Sequence, residues 1–359
     1  MLDQYGRSIT YLRLSVTDHC NLRCRYCMPE EGVTQKRHDD MLTEEEMIAA
    51  VRAAASLGVT KLRITGGEPL VKRNILSICR RAAEVEGIRE VCITTNGVLL
   101  PRMAKELREA GVSRVNLSLD TLDPERYAHI TRCGTLEGAL AGLHAALDAG
   151  FDKVKINTVL IGGFNDGEIE ALAELTRQYP VDVRFIELMP MVDSDEFGQA
   201  AYIPCTAVLD RLPQAVPVLQ GEPVPQAVPV PQGEPVPQTV PVPQTVPVPQ
   251  TEPVRQAVPV PQDGGVARLY RLPGALGNIG LINPVSDHFC GACNRIRITA
   301  DGNVKPCLHS AQELCIKGLS EREMRRVLER AIWEKPACHA ELSAQSHSHA
   351  GRNMNQIGG

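Results

Sequence analysis

Short runs of β-branched and apolar residues alternate with stretches of helical periodicity from residue 10 to about residue 190. The runs predict strands over 11–17, 60–65, 91–96, 113–120, 153–160 and 181–188. The stretches between them predict helices, among them 43–57, 101–110, 135–149 and 166–177. This order of elements is typical of right-handed βα units around a parallel sheet. We therefore expect an α/β fold with an incomplete (β/α)6 barrel of the TIM type.

The side chains within the predicted strands alternate between apolar and polar. In the first strand, Leu12 and Leu14 alternate with Arg13. Because helices cover the outer face of a parallel barrel, the apolar side chains should face outward and the polar ones the lumen. The inward set is Arg13, Ser15, Thr17, Lys61, Arg63, Thr65, Asn116, Ser118, Asp120, Lys153, Lys155 and Asn157. Solvated edge positions would explain one such strand, but four strands favour a cationic lumen for a polyanionic ligand such as a phosphate ester.

Three cysteines follow the first predicted strand with the spacing C-x3-C-x2-C: Cys20, Cys24 and Cys27. Three thiolates leave one iron of a four-iron cluster without a protein ligand, so that iron can bind and reduce a substrate. The alternative is a structural zinc site, which is closed by four ligands. His19 adjoins Cys20 and is badly placed to complete a tetrahedron. The spacing therefore favours an open iron–sulfur cluster.

This loop resembles the cluster loop of the radical S-adenosylmethionine (SAM) superfamily, including Tyr26 just before the third cysteine. The segment GGEP at 66–69 follows a predicted strand and resembles the superfamily's loop that meets the SAM amino group. The resemblance implies that the open iron binds SAM and that an electron cleaves SAM to a 5′-deoxyadenosyl radical.

A second cysteine triplet lies nearer the C-terminus. Cys290, Cys293 and Cys307 have the spacing C-x2-C-x13-C and again leave a fourth position open. This spacing allows a second iron–sulfur cluster, but it also allows a zinc ion completed by His288 or His309. Other radical SAM enzymes with accessory clusters are a further alternative.

Together the two triplets resemble those of one family, molybdenum cofactor biosynthesis protein A, the GTP 3′,8-cyclases. The resemblance covers about 1–212 and 263–359. Its other elements are TTNG at 94–97, NLSLD at 116–120, RFIELMP at 184–190, CNRIR at 293–297 and the terminal glycine pair. It implies conversion of GTP to (8S)-3′,8-cyclo-7,8-dihydroguanosine 5′-triphosphate, the first step of molybdenum cofactor biosynthesis. The alternatives are a peptide-modifying radical SAM enzyme and a non-enzymatic zinc-binding scaffold.

The resemblance also implies roles for individual positions. SAM is held at Tyr26, Gly67, Ser118 and Met189. The second triplet carries a cluster whose open iron contacts guanine, and GTP is bound at Arg13, Lys61, Arg63, Thr94, Lys155, Arg295 and Arg297. The tail ending in Gly358 and Gly359 reaches into the active site. Glycines suit that position because a backbone without side chains can thread a narrow channel.

Residues 214–261 form eight hexads of the pattern Q-x-(V/E)-P-V-(P/L/R). Proline at the fourth position removes backbone donors and fixes φ, so we expect a polyproline-II-like or disordered segment that cannot join the core. A tolerated surface insertion is favoured over a docking site for a proline-recognising partner. The chain then divides into the barrel (1–212), the insertion (213–262), an α+β extension with the second triplet (263–338) and a tail (339–359).

The 359-residue chain has a net charge of −5, which gives no reason to expect nucleic acid or an anionic membrane as a partner. No apolar run approaches the length of a membrane span. Clustered cysteines fit a reducing cytoplasm. The resemblance implies two 4Fe–4S clusters, SAM, an external low-potential electron donor and a homodimer. It also implies that the product passes to the cyclic pyranopterin monophosphate synthase.

Overall fold

The computed structural model describes residues 1–33, 36–191, 197, 201–218, 266–340, 342 and 348–358. Six strands form the centre of its sheet: β1 (Tyr11–Ser15), β2 (Lys61–Thr65), β3 (Glu90–Thr95), β4 (Arg114–Ser118), β5 (Lys153–Leu160) and β6 (Val181–Glu187). Each pairs in parallel with the next. The six predicted strands are confirmed, although β1 and β4 each end two residues earlier than expected.

Helices connect these strands: α1 (Glu44–Ser56), α2 (Ile75–Ala83), α3 (Leu100–Glu109), α4 (Pro124–Thr131), α5 (Leu136–Asp148) and α6 (Ile169–Gln178). Thr43 and Glu46 form a capping box that fixes the start of α1. The four named helices are confirmed, but residues 166–168 form a 3₁₀ turn before α6 rather than its first turn. Within the described part of the chain, no helix is long and apolar enough to cross a membrane.

The apolar side chains of the strands lie between the sheet and the helices. Leu12, Leu14, Leu62 and Ile64 are completely buried and belong to the same hydrophobic core as the buried residues of α1. The outward direction of these side chains agrees with the predicted alternation. Their polar neighbours must then point to the inner face of the curved sheet.

The C-terminal half supplies the remaining elements. They are β7 (Val216–Pro217), β8 (Arg268–Arg271), β9 (Ile279–Ile282), β10 (Arg295–Ile298), β11 (Asn303–Lys305) and β12 (Leu314–Cys315), with helices α7 (Ala207–Arg211), α8 (Glu321–Trp333) and α9 (Met354–Ile357). β9 pairs in parallel with β6, and β10 pairs in parallel with β1. The described strands therefore form one sheet of order β12-β11-β10-β1-β2-β3-β4-β5-β6-β9-β8-β7. The C-terminal region continues the barrel sheet at both edges instead of forming a separate layer.

The first hexad corrects one expectation. Val216 and Pro217 form β7, which pairs antiparallel with β8 at the edge of the sheet. Proline is tolerated there because an edge strand leaves one row of backbone groups unpaired. Val218 follows and is buried. The expectation of a polyproline-II-like or disordered segment is therefore wrong for residues 216–217, and the expectation that the hexads stay out of the core is wrong for Val218. The hexad residues from 219 onward lie outside the described part of the chain.

Candidate active site

A cavity of about 420 Å³ lies on the inner face of the sheet. Ten lysine and arginine side chains line it: Arg13, Lys61, Arg63, Arg114, Lys153, Lys155, Arg184, Arg295, Arg297 and Lys335. Among the described residues, two aspartates, Asp152 and Asp182, are the carboxylates in this lining. The cavity therefore carries a large excess of positive charge, as the strand alternation predicts.

Burial and mutual repulsion lower the pKa values of three of these arginines. The pKa of Arg297 falls to about 10, first because of burial and then because of the neighbouring Arg295. Burial also lowers the pKa of Arg184 to about 10. The pKa of Arg13 lies well below its usual value, because of burial and then the charge of Arg297. A polyanion in the cavity would relieve this repulsion.

Several buried polar atoms of the lining have no hydrogen-bond partner among the described residues. They include Nε of Arg184 and Arg295 and Oδ1 of Asn116, Asn157 and Asn294. Buried polar atoms are nearly always paired in folded proteins. Donors and acceptors left without partners in a cationic cavity suit a ligand that has both phosphate oxygens and hydroxyl or amino groups, as a nucleotide has.

Tyr11 lies at the start of β1 and joins three of the cations. The charged groups of Lys61, Arg63 and Arg295 lie 5.3 to 5.6 Å from the centre of its ring, and Arg63 donates a hydrogen bond to its hydroxyl. Burial alone would raise the pKa of Tyr11, but the guanidinium groups of Arg63 and Arg13 lower it. The ring thus holds the cations together at one end of the cavity.

The first cysteine triplet lies on the loop after β1. The backbone amide of Leu22 donates to Sγ of Cys20 (3.3 Å), and the amide of Cys27 donates to the carbonyl of Cys24 (2.9 Å). Burial raises the pKa of Cys20 to about 11 and that of Cys27 to about 12. Such thiols need a bound metal to ionise them.

The described residues contain no set of three His, Cys, Asp or Glu side chains that converges tightly enough for one metal ion. A zinc ion draws all its ligands onto a single centre. The thiolates that hold a four-iron cluster each bind a different iron and need not converge so tightly. The spacing of the first triplet, C-x3-C-x2-C, remains the ground on which an iron–sulfur cluster is expected there.

The GGEP loop packs directly against the start of the cysteine loop. The amide of Gly67 donates to the carbonyl of Thr17 (2.8 Å), and the amide of Glu68 donates to the carbonyl of His19 (2.7 Å). A Cβ atom on Gly67 would lie closer than 3.0 Å to backbone atoms of Asp18 and His19, so only glycine fits. Burial raises the pKa of Glu68 to about 7.

Tyr26 is fixed by a hydrogen bond from its hydroxyl to Oδ2 of Asp120 (2.8 Å). Asp120 follows β4 and also accepts a bond from the amide of Val159, so β4 and β5 orient the cysteine loop. Ser118 ends β4, and Met189 follows β6 in the cavity wall. The four positions expected to hold SAM thus lie beyond or at the carboxyl ends of β1, β2, β4 and β6.

The second cysteine triplet is part of the cavity wall. Cys290, Cys293 and Cys307 line it together with His309 and Lys335. Burial alone would raise the pKa of Cys293, but the charges of Lys335 and then Arg295 lower it. The first triplet is absent from the described lining of the cavity.

The C-terminal tail lies between the cavity and the first triplet. Arg297 donates from Nη1 to the carbonyl oxygen of Gly358 (2.9 Å), and Nδ2 of Asn355 donates to the carbonyl of Asp18 (3.1 Å). Gly358 has φ of +67°, and a Cβ atom there would overlap Oγ1 of Thr65. The tail therefore reaches the inner face of the sheet, whereas Gly359 lies outside the described residues.

Six of the seven positions expected to bind GTP line the cavity: Arg13, Lys61, Arg63, Lys155, Arg295 and Arg297. Thr94 instead accepts a hydrogen bond from Nη1 of Arg63 (3.2 Å). Sequence reasoning missed Tyr11, Arg114, Arg184 and Lys335 as cavity residues. The alternation of β1 and β4 contained the signal for Tyr11 and Arg114, since they share the inward side with Arg13 and Asn116.

Two family models match the chain. The model of the radical SAM superfamily matches residues 14–176, and the model of the C-terminal region of molybdenum cofactor synthesis proteins matches residues 249–341. The solved structure of Streptococcus suis SuiB is similar in fold, with a TM-score of 0.60 and 14% identity over 93% of this chain and 68% of SuiB. The SAM-bound SuiB structure gives a TM-score of 0.58 at 15% identity over 92% of this chain and 67% of that chain. The fold and the cysteine loop thus define a radical SAM protein.

Curated relatives narrow the assignment further. The GTP 3′,8-cyclase of Alkaliphilus oremlandii is 42% identical over 362 residues, and that of Pelotomaculum thermopropionicum is 45% identical over 368 residues. Both alignments cover the whole of this chain and of the relative. The chain belongs to the GTP 3′,8-cyclase family.

Proposed function

We propose that the protein is a GTP 3′,8-cyclase that converts GTP to (8S)-3′,8-cyclo-7,8-dihydroguanosine 5′-triphosphate in molybdenum cofactor biosynthesis. The single observation that supports this most strongly is the cationic cavity with Cys290, Cys293 and Cys307 in its wall. A cationic lining and a metal-ligating triplet in one cavity suit a nucleotide whose base meets a cluster while its phosphates meet arginines. Full-length relatives with this activity support the same assignment.

The cavity cations bind the triphosphate in this proposal. Arg13, Lys61, Arg63, Lys155 and Arg297 would contact phosphate oxygens, and Arg184 joins them through its unpaired Nε. Guanidinium groups suit phosphates because they donate two parallel hydrogen bonds. Arg295 and Cys293 lie in the same wall, so the base end of the nucleotide would meet the second triplet there.

The residues around the first triplet bind and orient SAM. Gly67 gives the backbone close access, the GGEP loop would meet the SAM amino group, and Tyr26 is held by Asp120. When bound, SAM and the cluster supply a 5′-deoxyadenosyl radical that can take a hydrogen atom from C3′ of the ribose. The protein's contribution is to hold C3′ and C8 of GTP in reacting geometry and to keep water away.

The cofactors are SAM and iron–sulfur clusters, and we propose that there are two 4Fe–4S clusters, one on each triplet. The electrons come from an external low-potential donor. The product passes to the cyclic pyranopterin monophosphate synthase. We also propose a cytoplasmic homodimer that does not bind nucleic acid.

The test is anaerobic incubation of the reconstituted protein with SAM, a low-potential reductant and GTP. Mass spectrometry should detect the cyclised nucleotide and 5′-deoxyadenosine together. Cys293→Ser should keep the first cluster and lose the cyclised product, with iron falling from about eight to about four per chain. Formation of 5′-deoxyadenosine without any cyclised nucleotide in the unmodified protein would refute the substrate assignment.

A further inference from the structure

A cluster of charged residues holds the base of the C-terminal tail. The cluster, named the tail anchor below, consists of Lys36, Asp301, Lys305, Glu313 and Arg352. It lies outside the cavity lining, and no role follows for it from the proposed chemistry. It connects three parts of the chain: the segment after the first cysteine loop, the β10–β12 sheet edge and the tail itself.

Arg352 is the centre of the tail anchor. Its Nε and Nη2 donate to the two carboxylate oxygens of Glu313 at 2.6 and 2.5 Å. Its Nη1 and Nη2 also donate to the two oxygens of Asp301 at 3.1 and 3.0 Å. The guanidinium therefore forms two bidentate ion pairs, and a lysine could not reproduce this fork geometry. Burial alone would raise the pKa of Asp301, but hydrogen bonds from Lys36, Thr299 and Arg352 lower it well below its usual range.

Lys305 connects the tail anchor to the barrel. Its side chain is completely buried, and its ammonium donates to Oε1 of Glu313 (3.0 Å) and to the carbonyl oxygens of Ser310 (2.7 Å) and Ala350 (3.2 Å). Lys305 on β11 is the register partner of Arg297 on β10. Two neighbouring positions of the sheet therefore hold the two ends of the segment 350–358. Lys305 binds Ala350, and Arg297 binds Gly358.

The chain between these two ends has little freedom. Asn353 and Gln356 form a capping box for α9, which occupies residues 354–357. Asn355 donates to the Asp18 carbonyl next to the first cysteine loop. Because one helical turn links Arg352 to Gly358, the direction in which Arg352 points sets where Gly358 arrives.

We propose that Arg352 is a positioning residue: its double ion pair with Asp301 and Glu313 aims the tail so that Gly358 lies between Arg297 and Thr65. Lys36 extends this control to the segment that follows the first cysteine loop, through its ion pair with Asp301. A misplaced tail should also lower the yield of cyclised nucleotide, and that effect rests on the proposed function. The position of the tail does not rest on it, so the two effects are measured separately.

The first experiment measures amide hydrogen exchange by mass spectrometry in the full-length protein. The variants are Arg352→Ala, Arg352→Lys and the control Arg325→Ala, which removes an exposed pair with Glu329 on α8. In Arg352→Ala the peptide covering 350–358 should exchange at least about 10-fold faster while the peptide covering 295–305 is unchanged. Arg352→Lys should be intermediate, and the control should match the unmodified protein. Unchanged tail exchange in a folded Arg352→Ala protein would overturn the proposal.

The second experiment measures the ratio of cyclised nucleotide to 5′-deoxyadenosine in the same proteins. Loss of folded protein lowers both products equally, so it leaves this ratio constant. A misplaced tail should lower the ratio several-fold in Arg352→Ala, and Arg352→Lys should restore part of it. An unchanged ratio alongside faster tail exchange would overturn the positioning role. If the unmodified protein forms no cyclised nucleotide, the proposed function fails and the exchange experiment still decides whether Arg352 aims the tail.

Discussion

At the residue scale, the crowded cations of the cavity destabilise the folded protein, but they suit the binding of an anionic ligand. Lys153 pairs with Asp182 at 2.8 Å, but Arg184 has a buried Nε without a partner among the described residues. Its lowered pKa means that the charged form is disfavoured in the folded protein. A site that repels itself when empty is typical of a place where charge serves binding.

Replacing Arg184 by methionine tests this conflict. Arg184→Met removes a disfavoured buried charge, so the thermal midpoint of the nucleotide-free protein should rise by a few degrees. GTP affinity should fall by about 10-fold or more, because a charge-assisted hydrogen bond contributes roughly 1.5–3 kcal/mol. Differential scanning fluorimetry and anaerobic calorimetry measure the two effects. The exposed control Arg52→Met should change neither, and a variant that binds GTP normally would contradict the assignment of Arg184.

The pH dependence of stability has a named contributor in His309. Burial, then the neighbouring His339 and Arg297, lower its pKa to about 3. Between pH 6.5 and pH 3 the unfolded chain binds a proton there that the folded chain does not, so this residue makes stability fall as the pH falls. His309→Gln should reduce the slope by up to about 1.4 kcal/mol per pH unit in that window. Denaturant titrations of the cluster-free protein at pH 5 and 7.5 measure it, and identical slopes for both proteins would contradict the prediction.

The sequence predicted which side chains face the cavity where apolar and polar residues alternate along a strand. Arg13, Arg63 and Lys155 could be placed on the inner face because each alternates with buried apolar neighbours. Arg184 was missed although β6 contains the same signal, since Asp182 and Arg184 alternate with buried Val183. Lys335 follows a helix, where no period indicates that it returns to the cavity.

At the element scale, the junction of two loops decides whether the first triplet is well placed. The GGEP loop touches the segment before Cys20 through backbone bonds at Gly67 and Glu68. Glycine leaves room for this contact, because any side chain at Gly67 would displace the His19 carbonyl. The loops therefore act as one unit that presents the cluster at the carboxyl end of β1.

Gly67→Ala should separate these loops. We expect it to weaken SAM binding at least about 10-fold and to reduce iron from about eight toward about four per chain, since the first triplet loses its support. Gly167→Ala is the matched control, because a Cβ atom there meets no atom within 4 Å. Equilibrium dialysis with SAM and iron analysis measure both effects. Normal SAM affinity in Gly67→Ala would show that the loop contact is dispensable.

Element boundaries were predicted best where local signals are strong. The apolar period of 43–57 predicted α1 within one residue at each end, and in the structure Thr43 and Glu46 form a capping box at its start. The strands β9 and β10 have four residues each, which is too short for a clear period. Their pairing with β6 and β1 joins segments that lie far apart in the chain, which local patterns cannot reveal.

At the scale of the whole molecule, one sheet unites the barrel and the C-terminal region. β9 and β10 cover the two edges that β6 and β1 would otherwise expose. β10 also carries Arg295 and Arg297 into the cavity, so the edge strand that completes the sheet completes the site. The segment predicted to begin at residue 263 thus shares one sheet with the barrel, and its strands protect the barrel's edges.

The hexads provide the test of this view. Because β7 and β8 pair antiparallel, a short connection between them should suffice. Deleting 221–262 should leave both iron sites, the thermal midpoint within a few degrees and cyclase activity within about twofold. The longer deletion of 214–262 also removes β7 and the buried Val218, so it should lower the thermal midpoint further. Loss of iron in the shorter deletion would show that the hexads support the fold.

In the proposed reaction, the cationic cavity holds the ribose C3′ of GTP where a radical from SAM can reach it. The direct measurement is anaerobic turnover with GTP deuterated at C3′, followed by mass spectrometry of the 5′-deoxyadenosine. We expect deuterium to move into 5′-deoxyadenosine in the unmodified protein. Arg297→Met, which removes a cation from the cavity, should lose most of this transfer. Unlabelled 5′-deoxyadenosine formed at the same rate with or without GTP would contradict it.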